Sequence, residues 1–196
     1  MGKSELFSYL SAFVTIVLAL ALTNLIQSFS ALLQARRVVR WDGRAPLFAL
    51  IVSLGVVSEF FSIWGTLNVS AISFARLLWM LAVPTTFALL AYASLPNSVP
   101  DDGIDLSAFY ESERGLWAAL FAIASLLDVM RTVESARTSQ QLKEFFVIAW
   151  LDLVVISIAL LIVGFARGRM FSWVGLLLLL YAVGDSVFHW SIRVAT

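Results

Sequence analysis

The sequence predicts an all-α protein in which six transmembrane helices form one bundle. Hydrophobic residues make up 61% of the 196 residues and the mean hydropathy is +0.93, whereas soluble globular chains contain roughly 45–50% apolar residues. These residues occur in runs of about 20 with few charges, which is the length that an α-helix needs to cross the hydrocarbon core. The excess is too large for a soluble core, so the composition indicates a polytopic membrane protein.

Six helices are expected along the chain, and they form a single domain over residues 1–196. Their approximate bounds are 5–34, 46–67, 72–95, 113–133, 143–166 and 170–192. The first apolar run follows Lys3, as in a signal sequence. No small-x-small cleavage pattern closes that run before Thr23 and Asn24, so we expect it to be retained as the first transmembrane helix.

Proline positions define several of these boundaries. Pro46 suits the first turn of the second helix, where its missing amide hydrogen would have no helical partner. Pro84 lies inside the third helix and is expected to kink it, and Pro96 and Pro100 end that helix. The first helix is longer than the bilayer requires, so we expect it to tilt or to extend past the interface.

Only one connection between helices is long, and it covers residues 95–112. Its second half, residues 104–110, is expected to form a short interfacial helix with Phe109 and Tyr110 at headgroup level. The acidic residues of this connection are Asp101, Asp102, Asp105 and Glu111.

The distribution of Lys and Arg predicts the orientation of the helices. The first connection, RRVVRWDGR, contains four arginines, and the connection between the fifth and sixth helices adds Arg167 and Arg169. Positive residues concentrate on the cytoplasmic side of a membrane, so both termini are predicted on the non-cytoplasmic side of a bacterial inner (plasma) membrane. The termini side has its own positive residues, which are Lys3, Arg131, Arg137, Lys143 and Arg193.

An inverted 3+3 repeat is one interpretation of the six helices. LALALTNLIQSFSALLQAR in the first helix aligns with LFAIASLLDVMRTVESAR in the fourth, which places Asn24 opposite Asp128. Three helices in each half would give the halves opposite topology, as in many transporters. Chance similarity between two apolar sequences is the alternative explanation.

Seven Asp, Glu, Arg or His residues fall inside the predicted membrane segments, beyond the first two residues of each segment. A carboxylate near the centre of a membrane helix costs roughly 2.5–3.5 kcal/mol, so these residues must be paired, hydrated or protonated. Because successive helices reverse direction, all of them are expected in the leaflet that contains the termini, around a polar cavity. They are Glu59, Arg76, Asp128, Arg131, Asp152, Asp185 and His189.

Four of these residues are interpreted first as structural ion pairs. Glu59 and Arg76 flank the tight turn between the second and third helices, which favours an ion pair across that hairpin over substrate binding. Asp128 and Arg131 are three residues apart near an interface, where local pairing and snorkelling are sufficient.

Asp152 and Asp185 are the leading candidates for an ion or proton site, with a structural role as the equal alternative. Asp152 has no cation three or four residues away on its own helix, and Asp185 has only His189. Desolvation in a poorly hydrated cavity favours the protonated carboxyl group, so either residue could exchange a proton near neutral pH. His189 is then a candidate relay or an interfacial residue, and Asn24 is a candidate neutral ligand or an interhelical hydrogen-bonding group.

Composition excludes several functional classes. Without cysteine and with a single histidine, the chain offers no thiol chemistry and no cluster of His or Cys metal ligands. Its 13 basic residues balance 13 acidic ones, so nothing indicates nucleic acid as a partner. HExxH, GxSxG and P-loop motifs are absent, so we expect neither enzymatic activity nor a cofactor.

The expected function is that of a small ion- or proton-coupled transporter or channel whose carboxylates lie in the outer half of the bundle. The alternative is a non-catalytic accessory or scaffold subunit of a larger membrane complex, because seven Trp are available for helix contacts. The lipid bilayer is the expected partner in both cases, with a homo-oligomer or a larger membrane complex as the protein partner.

Two stretches resemble small multi-pass membrane proteins of bacteria. They are residues Leu18 to Arg37, in the first helix and the loop after it, and the run DLSAFY at residues 105–110. The resemblance is to uncharacterised proteins. It therefore implies a multi-pass helical fold in a bacterial membrane, and it implies no activity, ligand or catalytic residue.

Overall fold

Helices account for nearly all of the described structure. The computed structural model describes residues 3–64, 74–135, 139–166 and 168–194, and within them the predicted all-α class with six helices is confirmed. The predicted bounds at residues 67 and 72 lie outside the described residues. In chain order the elements are α1 (Lys3–Gln34), β1 (Val39–Arg40), α2 (Arg44–Trp64), α3 (Phe74–Ser94), β2 (Ile104–Asp105), α4 (Leu106–Ser135), α5 (Ser139–Phe165) and α6 (Arg169–Val194).

α4 begins earlier than predicted and is one continuous helix. The separate interfacial helix expected at residues 104–110 is wrong, because α4 runs unbroken from Leu106 through the start predicted for the fourth helix. Asp105 caps this helix: its Oδ1 accepts hydrogen bonds from the backbone amides of Ser107 at 2.8 Å and Ala108 at 3.2 Å. Residues 106–112, which were predicted to belong to the connection, therefore form the first turns of α4.

A short parallel sheet joins two connections at one end of the bundle. Val39 pairs with Ile104, so the α1–α2 connection lies beside the α3–α4 connection. Gly103 permits this approach, because its φ is +90° and a Cβ there would overlap the carbonyl oxygen of Val38. We call this end of the bundle the loop end, and the end toward which both chain termini run the terminal end.

α2 is the central helix of the bundle. It packs against α1, α3, α4 and α6, whereas α5 packs against α4 and α6. Its fully buried residues Phe48, Ile51, Val52 and Val56 cover a wide face of the helix, as expected for a helix with several neighbours. Polar side chains on the second half of α2 are therefore held among other helices.

The two halves of the chain pack differently. In the first half α1, α2 and α3 all contact one another, whereas in the second half α5 contacts both α4 and α6. Among the described residues, no comparable contact links α4 to α6. The helix packing therefore gives no support to the predicted 3+3 inverted repeat.

Two segments are long and apolar enough to cross a membrane, judged by length and composition. They are Ser8–Gln34 in α1 and Arg44–Ser62 in α2, and Met80–Ser94 and Leu153–Phe165 are shorter apolar helical stretches. Core helices of soluble proteins share these properties, so two such segments give weak support to membrane association. The six-span arrangement and the side of the termini remain predictions.

Candidate functional site

A cavity of about 180 Å³ with charged, polar and apolar lining extends from the middle of the bundle toward the terminal end. Its volume is well above the roughly 10–15 Å³ that one water molecule needs. Five helices, α2 to α6, contribute side chains to its wall. The polar lining residues are Ser58, Glu59, Ser62, Ser125, Asp128 and Arg131, and the apolar ones are Gly55, Phe87, Phe121, Ala124, Ile156, Ala182 and Val183.

Glu59, Asp128 and Arg131 form a charged group in the wall of this cavity, which we call the cavity cluster. Nη1 of Arg131 donates a hydrogen bond to Oε1 of Glu59 at 2.6 Å, and Nη2 donates to Oδ1 of Asp128. Nη1 also lies 3.3 Å from Oγ of Ser62. One guanidinium group therefore joins a carboxylate of α2 to a carboxylate of α4.

Helical spacing brings these side chains to the cavity. Glu59 and Ser62 are three residues apart on α2, and Asp128 and Arg131 are three residues apart on α4, so each pair shares one helix face. The hydroxyl of Ser62 donates to the backbone carbonyl of Glu59 at 2.9 Å. This bond keeps the serine side chain against α2, beside the charged groups.

Exposure to solvent falls along the cavity cluster. The side chain of Asp128 is 50% exposed, that of Arg131 is 19% exposed and that of Glu59 is 5% exposed. Glu59 is therefore a buried carboxylate, and a buried charge requires a partner such as Arg131. Arginine keeps its proton under ordinary conditions, so the groups of this cluster that can take up a proton or a cation are the carboxylates.

The structure shows a contact of Glu59 that its sequence position did not suggest. Glu59 contacts Arg131 of α4. The predicted partner was Arg76, across the hairpin between the second and third helices, and its side chain lies outside the part of the chain that the structure describes, so that ion pair stays a prediction. Asp128 and Arg131 form a local pair, as their spacing suggested.

The predicted ion-site residues Asp152 and Asp185 lie on helices that line the cavity. Asp185 is half-buried on α6 and follows the lining residue Ala182 by one turn. Asp152 precedes the lining residue Ile156 of α5 by one turn. The side chains of Asp152 and His189 lie outside the described residues.

Asn24 is not among the residues that line the cavity. It lies on α1, and its Nδ2 is buried without a hydrogen-bond partner among the described residues. One turn further along, Oγ of Ser28 lies 3.4 Å from Oδ1 of Asn97, in the α3–α4 connection. Asn24 therefore lies one turn from the Ser28–Asn97 contact and does not belong to the cavity cluster.

A second charged group lies at the loop end, and we call it the loop-end network. Its centre is Arg44, which the sequence suggested was a loop residue but which is the first residue of α2, with a side chain only 3% exposed. Nε and Nη2 donate to the two carboxylate oxygens of Asp42, each at 3.0 Å. Nη1 donates to Glu111 at 2.7 Å and Nη2 to Ser107 at 2.8 Å. The start of α2 is thereby fixed to the start of α4.

Two further arginines extend the loop-end network to α5 and α6. Nε of Arg114 lies 3.1 Å from Oε2 of Glu111, and Nη1 of Arg114 donates to the carbonyl oxygen of Ala166, just after α5. Nη2 of Arg169, at the start of α6, lies 3.5 Å from Oδ2 of Asp42. Four helices therefore meet through charged contacts at this end.

Asp42 is charged at neutral pH. Burial has the largest single effect and raises its pKa, but the side-chain and backbone hydrogen bonds from Arg44, with the charges of Arg44 and Arg169, together outweigh it. The pKa of Asp42 therefore lies below its ordinary value of 3.8. Asp42 and Arg44 form a buried ion pair.

An aromatic layer separates the loop-end network from the cavity. The rings of Phe48 and Trp117 are stacked with centroids 4.3 Å apart, and the ring of Tyr110 meets Trp117 edge-on at 5.5 Å. Nε1 of Trp117 donates to the carbonyl oxygen of Ala93 at 2.9 Å. All three rings are fully buried, so this aromatic layer is part of the core between the cavity and the loop-end network.

The described residues contain no group of three or more His, Asp or Glu side chains that could hold a metal ion. No protein-family model, curated protein or solved structure matches this chain. The functional interpretation therefore depends on the geometry of the cavity cluster, the loop-end network and the surface of the bundle.

Proposed function

We propose that this chain is a six-span protein of a bacterial inner membrane that transports protons or small cations, and that the cavity cluster is its binding site. The proposal depends mainly on Glu59, a buried carboxylate of the central helix that lines a cavity large enough for water. Asp152 and Asp185, one turn from lining residues, extend the proposed pathway toward the terminal end.

The surface of the bundle supports the membrane part of this proposal. A soluble monomer seldom exposes an apolar patch larger than roughly 300–600 Å², but here large apolar side chains are exposed on all six helices. A bilayer would cover such a surface on every side, and α1, with 32 residues, is about 48 Å long and exceeds the hydrocarbon thickness. Examples from α1 to α6 are Ile26, Leu50, Leu78, Leu126, Leu161 and Leu177.

Exposed arginines at the loop end support a cytoplasmic position for that end. Arg36, Arg37 and Arg40 are exposed in the α1–α2 connection, and Arg169 is exposed at the start of α6. Positive residues near the ends of membrane helices favour the cytoplasmic side. The termini would then lie on the non-cytoplasmic side, and the cavity would open toward it.

The arrangement of the cavity cluster explains how binding could change the protein. A proton or cation on Glu59 competes with Arg131 for the same carboxylate, because Arg131 contacts Oε1 directly. Occupancy of Glu59 therefore weakens the link from α2 to α4 and leaves Arg131 with Asp128. In this proposal, passage to the loop end requires the rings of the aromatic layer to move.

Flux measurements in liposomes test the proposed activity. Purified protein is reconstituted with a pH-sensitive dye inside the vesicles, and uptake is followed after a proton or potassium gradient is applied. We expect Glu59→Gln to reduce flux at least tenfold, because it cannot carry the charge that attracts a cation. Asp102→Asn is the matched control, since Asp102 is an exposed carboxylate of the α3–α4 connection, and its flux should equal that of the wild type.

Circular dichroism of each variant shows whether a loss of flux reflects unfolding. Wild-type flux in a folded Glu59→Gln variant would contradict the assigned site. A wild-type protein that conducts nothing alone, and that remains bound to a partner in mild detergent, would favour an accessory subunit and contradict the transporter.

The six-span topology is tested separately with cysteine labelling, which the cysteine-free sequence makes simple. Ser4→Cys lies near the N-terminus, and Asp101→Cys lies in the α3–α4 connection. In intact cells with a permeabilised outer membrane, a membrane-impermeant maleimide should label Ser4→Cys and spare Asp101→Cys. Labelling of both residues from the same side would contradict the proposed topology.

A further inference from the structure

An open groove of about 690 Å³ lies at the C-terminal end of α1, at the loop end of the bundle. Its wall combines two charged side chains with polar and apolar ones. The residues that matter for its chemistry are Ser30, Leu33, Gln34, Arg36, Arg37 and Val38. No part of the cavity cluster or the loop-end network contributes to it, so the groove is a separate site.

Arg36 and Arg37 differ from the other arginines whose side chains the structure describes. Arg40, Arg44, Arg114, Arg131 and Arg169 each form an ion pair with a carboxylate. Within the described ranges, neither Arg36 nor Arg37 forms one, and both side chains are exposed in the groove. Two adjacent guanidinium groups with free donors suit a phosphate group, which they can bind with paired hydrogen bonds.

An apolar strip on α1 runs from this groove toward the middle of the bundle. Leu33, Phe29 and Ile26 are all exposed, and their spacing of four and three residues places them on one helix face. Val38 adds an exposed apolar side chain at the groove itself. A ligand that binds both the groove and the apolar strip must carry an anionic head and an apolar chain.

We infer that this groove binds one anionic phospholipid, with the phosphate at Arg36 and Arg37 and an acyl chain along Leu33, Phe29 and Ile26. Ser30 and Gln34 also line the groove, with Nε2 of Gln34 3.3 Å from Oγ of Ser30, and they offer polar atoms to the glycerol region. The inference rests on the proposed membrane location and is independent of ion transport. An inorganic phosphate ion offers the same charge but leaves the apolar strip uncovered.

The expected effect of the arginines follows from their number. A basic residue near an anionic membrane surface strengthens binding about fivefold, so two contribute about 25-fold together. The variant with both Arg36→Gln and Arg37→Gln should therefore bind phosphatidylglycerol about 25-fold more weakly. Arg40→Gln is the matched control: Arg40 is exposed in the same connection but lies 3.7 Å from Asp105 and outside the groove, so its effect should be less than twofold.

Binding is measured with the full-length protein in neutral detergent, titrated with fluorescent phosphatidylglycerol, with phosphatidylcholine and inorganic phosphate as competitors. We expect the anionic lipid to bind more tightly than phosphatidylcholine and millimolar phosphate not to displace it. Leu33→Asn should weaken lipid binding while circular dichroism remains unchanged. Equal binding by the double variant and the wild type would overturn the inference.

Two other outcomes would also count against the lipid. Displacement by inorganic phosphate, with no effect of Leu33→Asn, would identify a phosphate site instead. Equal affinity for phosphatidylcholine would show that the arginines do not select the headgroup. Lipid binding is measured without an ion gradient, and ion flux is measured with Glu59 variants. A negative result in one experiment therefore does not contradict the proposal that the other experiment tests.

Discussion

Replacement of Arg44 by Met is expected to destabilise the protein strongly. The substitution keeps a long side chain at the start of α2 but removes the guanidinium group. The variant loses the two side-chain bonds to Asp42 and the bonds to Glu111 and Ser107. It also loses the contact between the guanidinium carbon and the ring of Tyr110, whose centroid lies 4.5 Å from that carbon. Asp42 then remains buried with a charge and without its closest partner.

The size of the effect follows from the burial of both partners. Removal of one partner from a buried ion pair costs about 3–5 kcal/mol, because the remaining charge is desolvated without compensation. Arg169 stays 3.5 Å from Asp42, but it is largely exposed and offsets little of this loss. For a chain of this length, about 3–5 kcal/mol corresponds to a fall in melting temperature of roughly 6–20 °C.

Thermal melting in detergent, followed by circular dichroism, measures this change. Glu111→Gln is the matched control: the Glu111 side chain is 44% exposed, and the buried Arg44 keeps its bonds to Asp42, so the loss should be about 1 kcal/mol. In the double variant Asp42→Asn with Arg44→Met, the buried charge is gone, so the combined loss should be smaller than the sum of the single losses. A shift for Arg44→Met no larger than that for Glu111→Gln would refute this explanation of the loop-end network.

Two further predictions use the same melting assay. Gly103→Ala should lower stability by about 1–3 kcal/mol, because an L-residue is strained at φ +90° and its Cβ would overlap Val38, whereas Gly115→Ala, in open space on a helix, should raise it by about 0.5–1 kcal/mol. Equal shifts for both would contradict the role of Gly103. Because the pKa of Asp42 is lowered by folding, its charge stabilises the fold at pH values above 3.8, the ordinary pKa of an aspartate. This contribution disappears as the pH falls through the lower pKa of Asp42 in the folded state. The difference in melting temperature between the wild type and Asp42→Asn should therefore be constant from pH 7 to about pH 4 and narrow below it, and a difference that narrows near neutral pH would contradict it.

The helical part of the fold was accessible from the sequence because each helix is a local feature. Apolar runs of the right length, with prolines near their ends, indicated six helices, and the described residues contain six. The start of α4 was missed since charged residues in its first turns resembled a loop. In the structure those charges are compatible with a helix, because Glu111 meets Arg44 and Arg114.

The charged contacts were harder to predict, because each depends on how a helix is rotated about its axis. Sequence proximity suggested Arg76 as a partner of Glu59 and did not suggest Arg131, whereas the packing of α2 against α4 brings Glu59 to Arg131. Arg44 looked like one of several positive loop residues. Asp42 accepts a hydrogen bond from the backbone amide of Arg44 at 3.0 Å. Glu111 and Ser107 at the start of α4 contact the guanidinium group of Arg44, and this contact between distant parts of the chain could not be seen in the sequence.

The sequence alone determined that this protein is a bundle of apolar helices with alternating directions, and hence that Glu59, Asp128 and Arg131 occupy the same half of it. The tertiary structure decided that these three side chains meet around one cavity, that Arg44 is enclosed at the other end, and that Arg36 and Arg37 remain without a carboxylate partner among the described residues. The physical reason is that periodicity fixes which residues share a helix face, whereas the direction of that face depends on side chains packed from distant parts of the chain.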